Sequence, residues 1–362
     1  MLRARQVGLA LTGAAAASLM LGGCTSSPAP GPTRAAHGFT VVREVGRRIF
    51  PLPYGSPGEL TANSAGVAYE VSPPTDHGPE TLIWADFASG RSRVLARIAW
   101  HVEQLQSNDR RLVWEEISPT TGDGPRPAWW RVRTLDLRTG RIRTLLHAHH
   151  KDPLQPGITL WHDHVLYDSE ASLHRGASDF FSMDLATGVT KIVARHLVTG
   201  QVQYDGRDLL SAITTNVATA TTEVRSDIFV VNRKPWLRVT RGGMAAGFDD
   251  VGHVLMWEEC QPRDNSPCTV KIKRWPHGPI QTELTHDNPS SSLGNGFIAV
   301  GDGDPMLIPL DEPDRQLTLR EPPGETSNWP AAVFGNLVVW PTARGTDQET
   351  PGHLIVATVK AS

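Results

Sequence analysis

The sequence predicts an all-β fold, a β-propeller of seven four-stranded blades closed by an N-terminal strand, and three observations carry that prediction. First, one phrase is spelled three times: ADFASGRSRVLA at 85–96, LDLRTGRIRTLL at 135–146 and MDLATGVTKIVA at 183–194. Second, an apolar run recurs as GVAYEV (66–71), RLVWEE (111–116), HVLYDS (164–169), DLLSAI (208–213), HVLMWEE (253–259), GFIAVG (296–301) and NLVVWP (336–341). Third, the seven runs follow one another at intervals of 40 to 53 residues, a period that belongs to propellers and solenoids. After residue 40 no window shows a capped 3.6-residue period, and the apolar segments are short and bounded by turn residues, as strands and hairpins require.

In chain order, Arg3 and Arg5 precede an apolar stretch from Val7 to Leu21. That is the length of a secretory signal and too short for a stable membrane span. Leu21-Gly22-Gly23-Cys24 follows at once and resembles the lipobox of bacterial lipoproteins. The resemblance implies cleavage before Cys24 and a diacylglycerol on its thiol, since more than one acyl chain is needed for firm anchoring. Residues 1–23 are thus read as a signal peptide, and 24–38 as the lipidated cysteine with a flexible Ser/Pro/Gly/Ala tether, which has too little apolar surface to order itself. Residues 39–362 form the propeller. The expected location is the extracytoplasmic side of a bacterial cell membrane.

Each propeller unit reads as four antiparallel strands. In the second, VEQLQS is the inner strand, RLVWEE the second, WWRVRTLDL the third and RIRTLLH the outer one. The repeated Asp-Leu-x-Thr-Gly is the turn between third and outer strands, where Asp and Thr bond the backbone and Gly takes a positive φ. A lone blade leaves both apolar faces wet, so packing against neighbours is what makes repetition stabilising. The final unit ends at HLIVATVKAS without an outer strand, and GFTVVREVG (38–46) is expected to supply it. A count of six or eight blades stays open. Together these segments resemble the TolB-like, PD40-type propeller repeat, over residues 60 to 360. That resemblance implies an architecture shared by proteins of many functions.

A formal charge of −3 and a pI near 6.5 leave no basic footprint for nucleic acid. With Cys24 assigned to lipid, Cys260 and Cys268 in ECQPRDNSPC remain. In an oxidising compartment such a pair is expected to form a disulfide, with two free thiols or part of a metal site as the alternatives.

The connections after second strands and between blades are longer than hairpins need, which marks that face for binding. Glu70, Glu115, Asp168 and Glu258 end second strands in four of the seven units there, with Glu116 and Glu259 behind them. Two readings stand. They are polar strand ends, or they form an electronegative mouth for a divalent cation or basic segment, with mutual repulsion raising their pKa values. Trp100, Trp129, Trp130 and Trp329 fall near the same face as ligand-contact candidates, whereas Trp84, Trp114, Trp257 and Trp340 read as core. His147, His149 and His150 are expected on the opposite side from His162 and His164, so the metal reading is weighed against solvated histidines. The sequence contains no G-x-S-x-G or H-E-x-x-H. The expected function is a monomeric, membrane-anchored binding or scaffolding module for a protein or cell-envelope ligand, with no assigned cofactor or catalytic residue. The alternative is an extracytoplasmic carbohydrate- or peptide-active enzyme using loop carboxylates.

Overall fold

The structure is a computed structural model and describes residues 42–53, 57–72, 79–99, 101–118, 129–148, 155–168, 178–197, 202–204, 207–216, 225–235, 237–240, 244–248, 254–260, 268–286, 291–300, 304–311, 315–327, 331–344 and 350–361. Cys24, Trp100, His149, His150 and Trp329 lie outside them. Within the described residues the chain is all-β and forms seven antiparallel sheets in sequence order around a ring.

Blade 1 comprises Pro57–Asn63, Gly66–Val71, Glu80–Asp86 and Arg91–Ile98, and blade 2 His101–Ser107, Arg111–Ile117, Trp130–Asp136 and Ile142–His147. The pattern repeats through blade 3, from Ile158–Trp161 to Thr190–Leu197, blade 4, from Val202–Tyr204 to Leu237–Thr240, blade 5, from Met244–Phe248 to Ile280–His286, and blade 6, from Ser291–Leu293 to Leu317–Thr318. In blade 7 the inner strand is split into Glu325–Thr326 and Ala332–Phe334, both paired with Leu337–Arg344, which in turn pairs with Thr350–Ala361.

The missing outer strand does come from the N-terminal end of the propeller and runs on past Gly46, where the sequence placed its end; residues 38–41 of that expectation lie outside the described residues. Val42–Pro51 lies antiparallel to Thr350–Ala361, in register from Val42 opposite Ala361 to Pro51 opposite His353, with a bulge between Glu44 and Gly46. The reason for the extension is apolar anchoring at the strand's far end, where Phe50 and Leu52 are buried against Val67, Tyr69 and Leu354.

Ring closure is visible in the packing. The buried residues fall into seven clusters, each spanning two consecutive blades, and one of them joins blade 7 to blade 1 through Val339 and Val356 against Val67 and Tyr69. Second strands alternate sides: Trp114 packs toward blade 1 while Val113 packs toward blade 3. Trp84, Trp114, Trp257 and Trp340 are all core, as the sequence indicated. Polar ties between inner strands fix blades 1 to 3. The Asn63 amide donates to the Asn108 carbonyl at 2.7 Å, and Gln106 exchanges two hydrogen bonds with the backbone of Ile158 and Leu160.

The repeated phrase forms the expected turn. Asp86, Asp136 and Asp184 accept the N–H groups of Ser89, Thr139 and Thr187 at 2.7–2.8 Å. Gly90, Gly140 and Gly188 follow with φ of 66°, 70° and 74°. Nothing lies within 4 Å of a Cβ built at any of the three, so the positive φ alone requires glycine there. Blade 5 keeps only the closing hydrogen bond, Gly278 N–H donating to the Arg274 carbonyl at 2.9 Å, with neither the aspartate nor the positive φ.

Candidate functional site: the carboxylates under the long-loop face

The two faces of the ring differ in their connections. Tight turns such as 64–65, 108–110 and 162–163 join inner to second strands on one face. The segments 72–79, 118–129 and 169–177 join second to third strands on the other. Second strands end at the latter, and strand alternation decides where their final carboxylates go. Glu115 shares the side of Val113 and points toward blade 3, and Glu70 shares that of Ala68 and points toward blade 2.

These groups are not an open mouth. Glu70 and Glu115 are 0% exposed and Glu258 is 5% exposed, while Asp168 is half-buried. Three of the four stand against an irregularity of the inner strand. Glu70 lies beside the bulge between Pro57 and Leu60, Glu115 beside that between Val102 and Gln104, and Glu258 beside that between Met244 and Gly247. Asp168 instead accepts the Gly157 N–H at 2.6 Å, where the inner strand of blade 3 begins. The carboxylates are therefore built into the strand ends. Ser72 donates to Glu70 at 2.9 Å, the Gln104 amide to Glu115 at 3.1 Å and Ser291 to Glu258 at 2.5 Å. Glu115 Oε1 is buried with no hydrogen-bond partner among the described residues, whereas Glu70 is also approached by the backbone N–H of Glu59.

Burial, rather than mutual repulsion, is the main cause of their raised pKa values. It lifts Glu70 to about 7, with a further contribution from Glu80, and lifts Glu258 to about 7 and Asp168 to about 6. Glu115 is raised well above the ordinary carboxylate range by burial first, then by the charges of Glu103 and Asp168. That last coupling is the repulsion within the set that the sequence anticipated; the rest comes from residues it passed over.

Those residues sit between blades 1 and 2. Glu59 is pushed up to about 8 by burial and by Glu103. Glu80 accepts the Val102 N–H at 2.8 Å and meets His101 Nδ1 at 2.7 Å, while His101 Nε2 is 3.6 Å from Glu103. Burial works against the charged imidazole, yet the Glu80 hydrogen bond and the charges of Glu80, Glu103 and Glu70 prevail and raise His101 to about 9. The sequence signal for this group is the concentration of acids on inner and third strands beside Glu70, visible only once the blades are aligned.

The paired acids Glu115-Glu116 and Glu258-Glu259 divide by alternation. Glu116 turns to the opposite side, where it accepts the Trp114 indole N–H at 2.8 Å and binds Arg131 and Arg133. Glu259 repeats the arrangement with the Trp257 indole at 3.0 Å and Lys271 at 2.8 Å. Although burial opposes it, these bonds hold Glu259 below the usual range. The second acids are thus satisfied ion pairs.

Trp129 is half-buried, with the Arg131 guanidinium 5.2 Å from its ring. Trp130 is 6% exposed in the core between blades 2 and 3, which places it beneath the face rather than on it. Among the described residues no group of three or more His, Cys, Asp and Glu is placed to hold a metal ion. Cys260 and Cys268 are direct cross-strand partners in blade 5.

Fold and site define the chain as a seven-bladed β-propeller with acids buried beneath its long-loop face. No protein-family model and no curated protein matches it. Solved structures that do are the β-propeller domain of the trilobed protease from Pyrococcus furiosus (8% identity, TM-score 0.60, covering 85% of this chain and 95% of that one), described as having an open velcro topology. Another is the uncharacterized protein lmo1340 from Listeria monocytogenes EGD-e (11%, TM-score 0.53, 83% and 94%). TolB from Acinetobacter baumannii also matches (14%, TM-score 0.46), with 83% of this chain spanning 65% of that one. At such identities the likeness is one of fold.

Proposed function

We propose that the chain is a bacterial lipoprotein, held by Cys24 on the extracytoplasmic side of a membrane, whose propeller binds a protein or cell-envelope ligand through its long-loop face. The observation that carries this reading is the buried, unpartnered Glu115 Oε1 beneath that face. A buried acceptor left without a donor costs about 1–3 kcal/mol, and a ligand bringing an ammonium or guanidinium group beneath the loops would relieve that cost. Crosslinking in the native membrane tests it. The wild type should capture a partner that a Glu70→Gln/Glu115→Gln variant captures far less, and equal capture by both would end the reading. Anchoring is tested separately: Cys24→Ala should move the protein from the membrane to the soluble fraction, and unchanged sedimentation would refute the lipid anchor.

A second reading is favoured by one observation, that Glu70 is held near neutrality. This suits a general acid or base, in an enzyme acting on a carbohydrate or peptide. Its signature is a variant such as Glu70→Gln that loses turnover while keeping substrate affinity.

A further inference from the structure

The opposite face carries a feature the carboxylate site leaves unexplained. In the repeated phrase the turn glycine is followed by Arg-x-Arg in blades 1 and 2 and by Val-x-Lys in blade 3. The first and third residues of these triplets lie at the start of the outer strand, next to the tight turns. In blade 2 the register sets Arg111 opposite Asp136, and Arg143 opposite Thr134. Alternation then places Arg111, Arg141 and Arg143 on the side that faces blade 3. A cleft of about 250 Å³ opens there, lined by these three arginines, Thr139, Asp136 and the Leu185-Ala186 turn of blade 3.

We propose that this cleft binds a phosphate-type oxyanion. The nearby negative charges are already engaged. Asp136 accepts the N–H groups of Arg138 and Thr139 at 3.1 and 2.8 Å. Asp163 is shared between Arg110 at 3.2 Å and Arg111 at 3.6 Å. Arg111 Nε stands 3.6 Å from Asp163 Oδ1 and makes no hydrogen bond, in a side chain only 11% exposed, so this guanidinium is only partly neutralised. Among the described residues the Arg141 and Arg143 guanidiniums form no hydrogen bond or ion pair. Guanidinium forks match the geometry of phosphate oxygens. The volume falls just under the roughly 300–1,000 Å³ of sites for drug-sized ligands, so the cleft takes a small ion or the phosphate of a larger molecule.

The equivalent position in blade 3 repeats the depression with His164, Thr187 and Lys191 around about 260 Å³. In blade 1 it is filled. Gly66 stands where Arg111 does, and a Cβ there would come within 2.5 Å of the Trp84 ring, which occupies the space. Blade 1 thus keeps the surface arginines, Arg91 and Arg93, without the cleft. The described chain also enters the ring on this face. Val42 is opposite Ala361, whose methyl stands 3.0 Å from a Cβ built on Gly296 in a tight turn of blade 6. A phospholipid headgroup and a soluble phosphate ester are therefore both candidate sources of the anion.

The test uses the full chain carrying Cys24→Ala, which removes the acyl acceptor and so does not depend on the lipoprotein reading. Inorganic phosphate, titrated by calorimetry, should bind more weakly as salt rises. Arg141→Gln/Arg143→Gln should weaken it at least about tenfold, as expected for lost charge-assisted bonds. Arg91→Gln/Arg93→Gln in blade 1 removes the same surface charge and should leave binding unchanged. Flotation with phosphatidylglycerol vesicles, absent with phosphatidylcholine and lost in the blade 2 variant, assigns the anion to a lipid headgroup. Phosphate binding without flotation assigns it to a soluble ester. No phosphate binding by the wild type, or an equal effect of the blade 1 and blade 2 variants, overturns the site.

Discussion

Replacing Glu70 by glutamine should stabilise the propeller at alkaline pH and slightly destabilise it in acid. Glu70 is 0% exposed and its carboxyl is raised from 4.5 to about 7, chiefly by burial. For an acid whose folded value lies above its unfolded one, the folded state binds the extra proton between the two. Its contribution is therefore fully present below about pH 4.5 and is lost as pH rises through 7. Ionising Glu70 in place costs the folded state about 3 kcal/mol, at 1.36 kcal/mol per unit. The amide keeps the bond from Ser72 but brings an NH₂ that needs its own acceptor, which removes about 1 kcal/mol of the gain. The expected difference is about 2 kcal/mol in favour of Glu70→Gln near pH 8 and about 1 kcal/mol against it near pH 4.5, where only the amide's cost remains. Urea denaturation of both proteins across that range measures it. A difference independent of pH, or a glutamine variant less stable at pH 8, would show that Glu70 is ionised throughout, and would refute burial as the source of its shift.

Other outcomes follow from the same structure. Cys260 and Cys268 face each other in an antiparallel pair, where Cα atoms stand about 4.5–5.5 Å apart, inside the span a disulfide bridges. Mass analysis without reductant should find both resistant to alkylation, and two alkylated thiols would exclude the bond. Deleting Val42–Pro51 removes the partner of Thr350–Ala361 and the buried Phe50. The open edge should promote aggregation and lower the melting temperature, whereas a monomeric variant with unaltered melting would refute closure by this strand. Gly140→Ala meets no atom within 4 Å but keeps φ at 70°, so it should cost only the backbone term of about 1–2 kcal/mol. Gly66→Ala should cost much more, because the new methyl strikes Trp84 and the Ala85 carbonyl. Equal losses in the two glycine variants would overturn that distinction.

The carboxylate site was legible in part. That Glu70, Glu115, Asp168 and Glu258 share one position in successive units is a matter of chain spacing, and the units could be counted. That three of them stand beside a bulge, and that Glu59, Glu80, His101 and Glu103 gather between blades 1 and 2, depends on contacts across strands and blades. Local patterning does not encode those contacts. Trp129 and Trp130 make the same point within one dipeptide. Adjacent strand residues face opposite ways, and only the register of Trp130 with Ile117 puts its ring in the core.

By itself the sequence determined the repeating unit, the order of strands within it and the chemistry of its turns, while the count of seven was settled by the sheets of the closed ring. These rest on short-range rules: alternation along a strand, the φ of Gly90, Gly140 and Gly188, and the side-chain reach of Asp86, Asp136 and Asp184. Tertiary structure decided which strand closes the ring, because Val42–Pro51 is chosen by pairing with Thr350–Ala361 some three hundred residues away. It also decided the surroundings of each acid. The Glu115 and Glu116 carboxyls are chemically identical neighbours and both fully buried, yet Glu115 lies near Glu103 and Asp168 and is raised, while Glu116 accepts the Trp114 indole N–H and pairs with Arg131 and Arg133. Protonation follows solvent exclusion and nearby charge, and both are properties of the packed ring rather than of the residue.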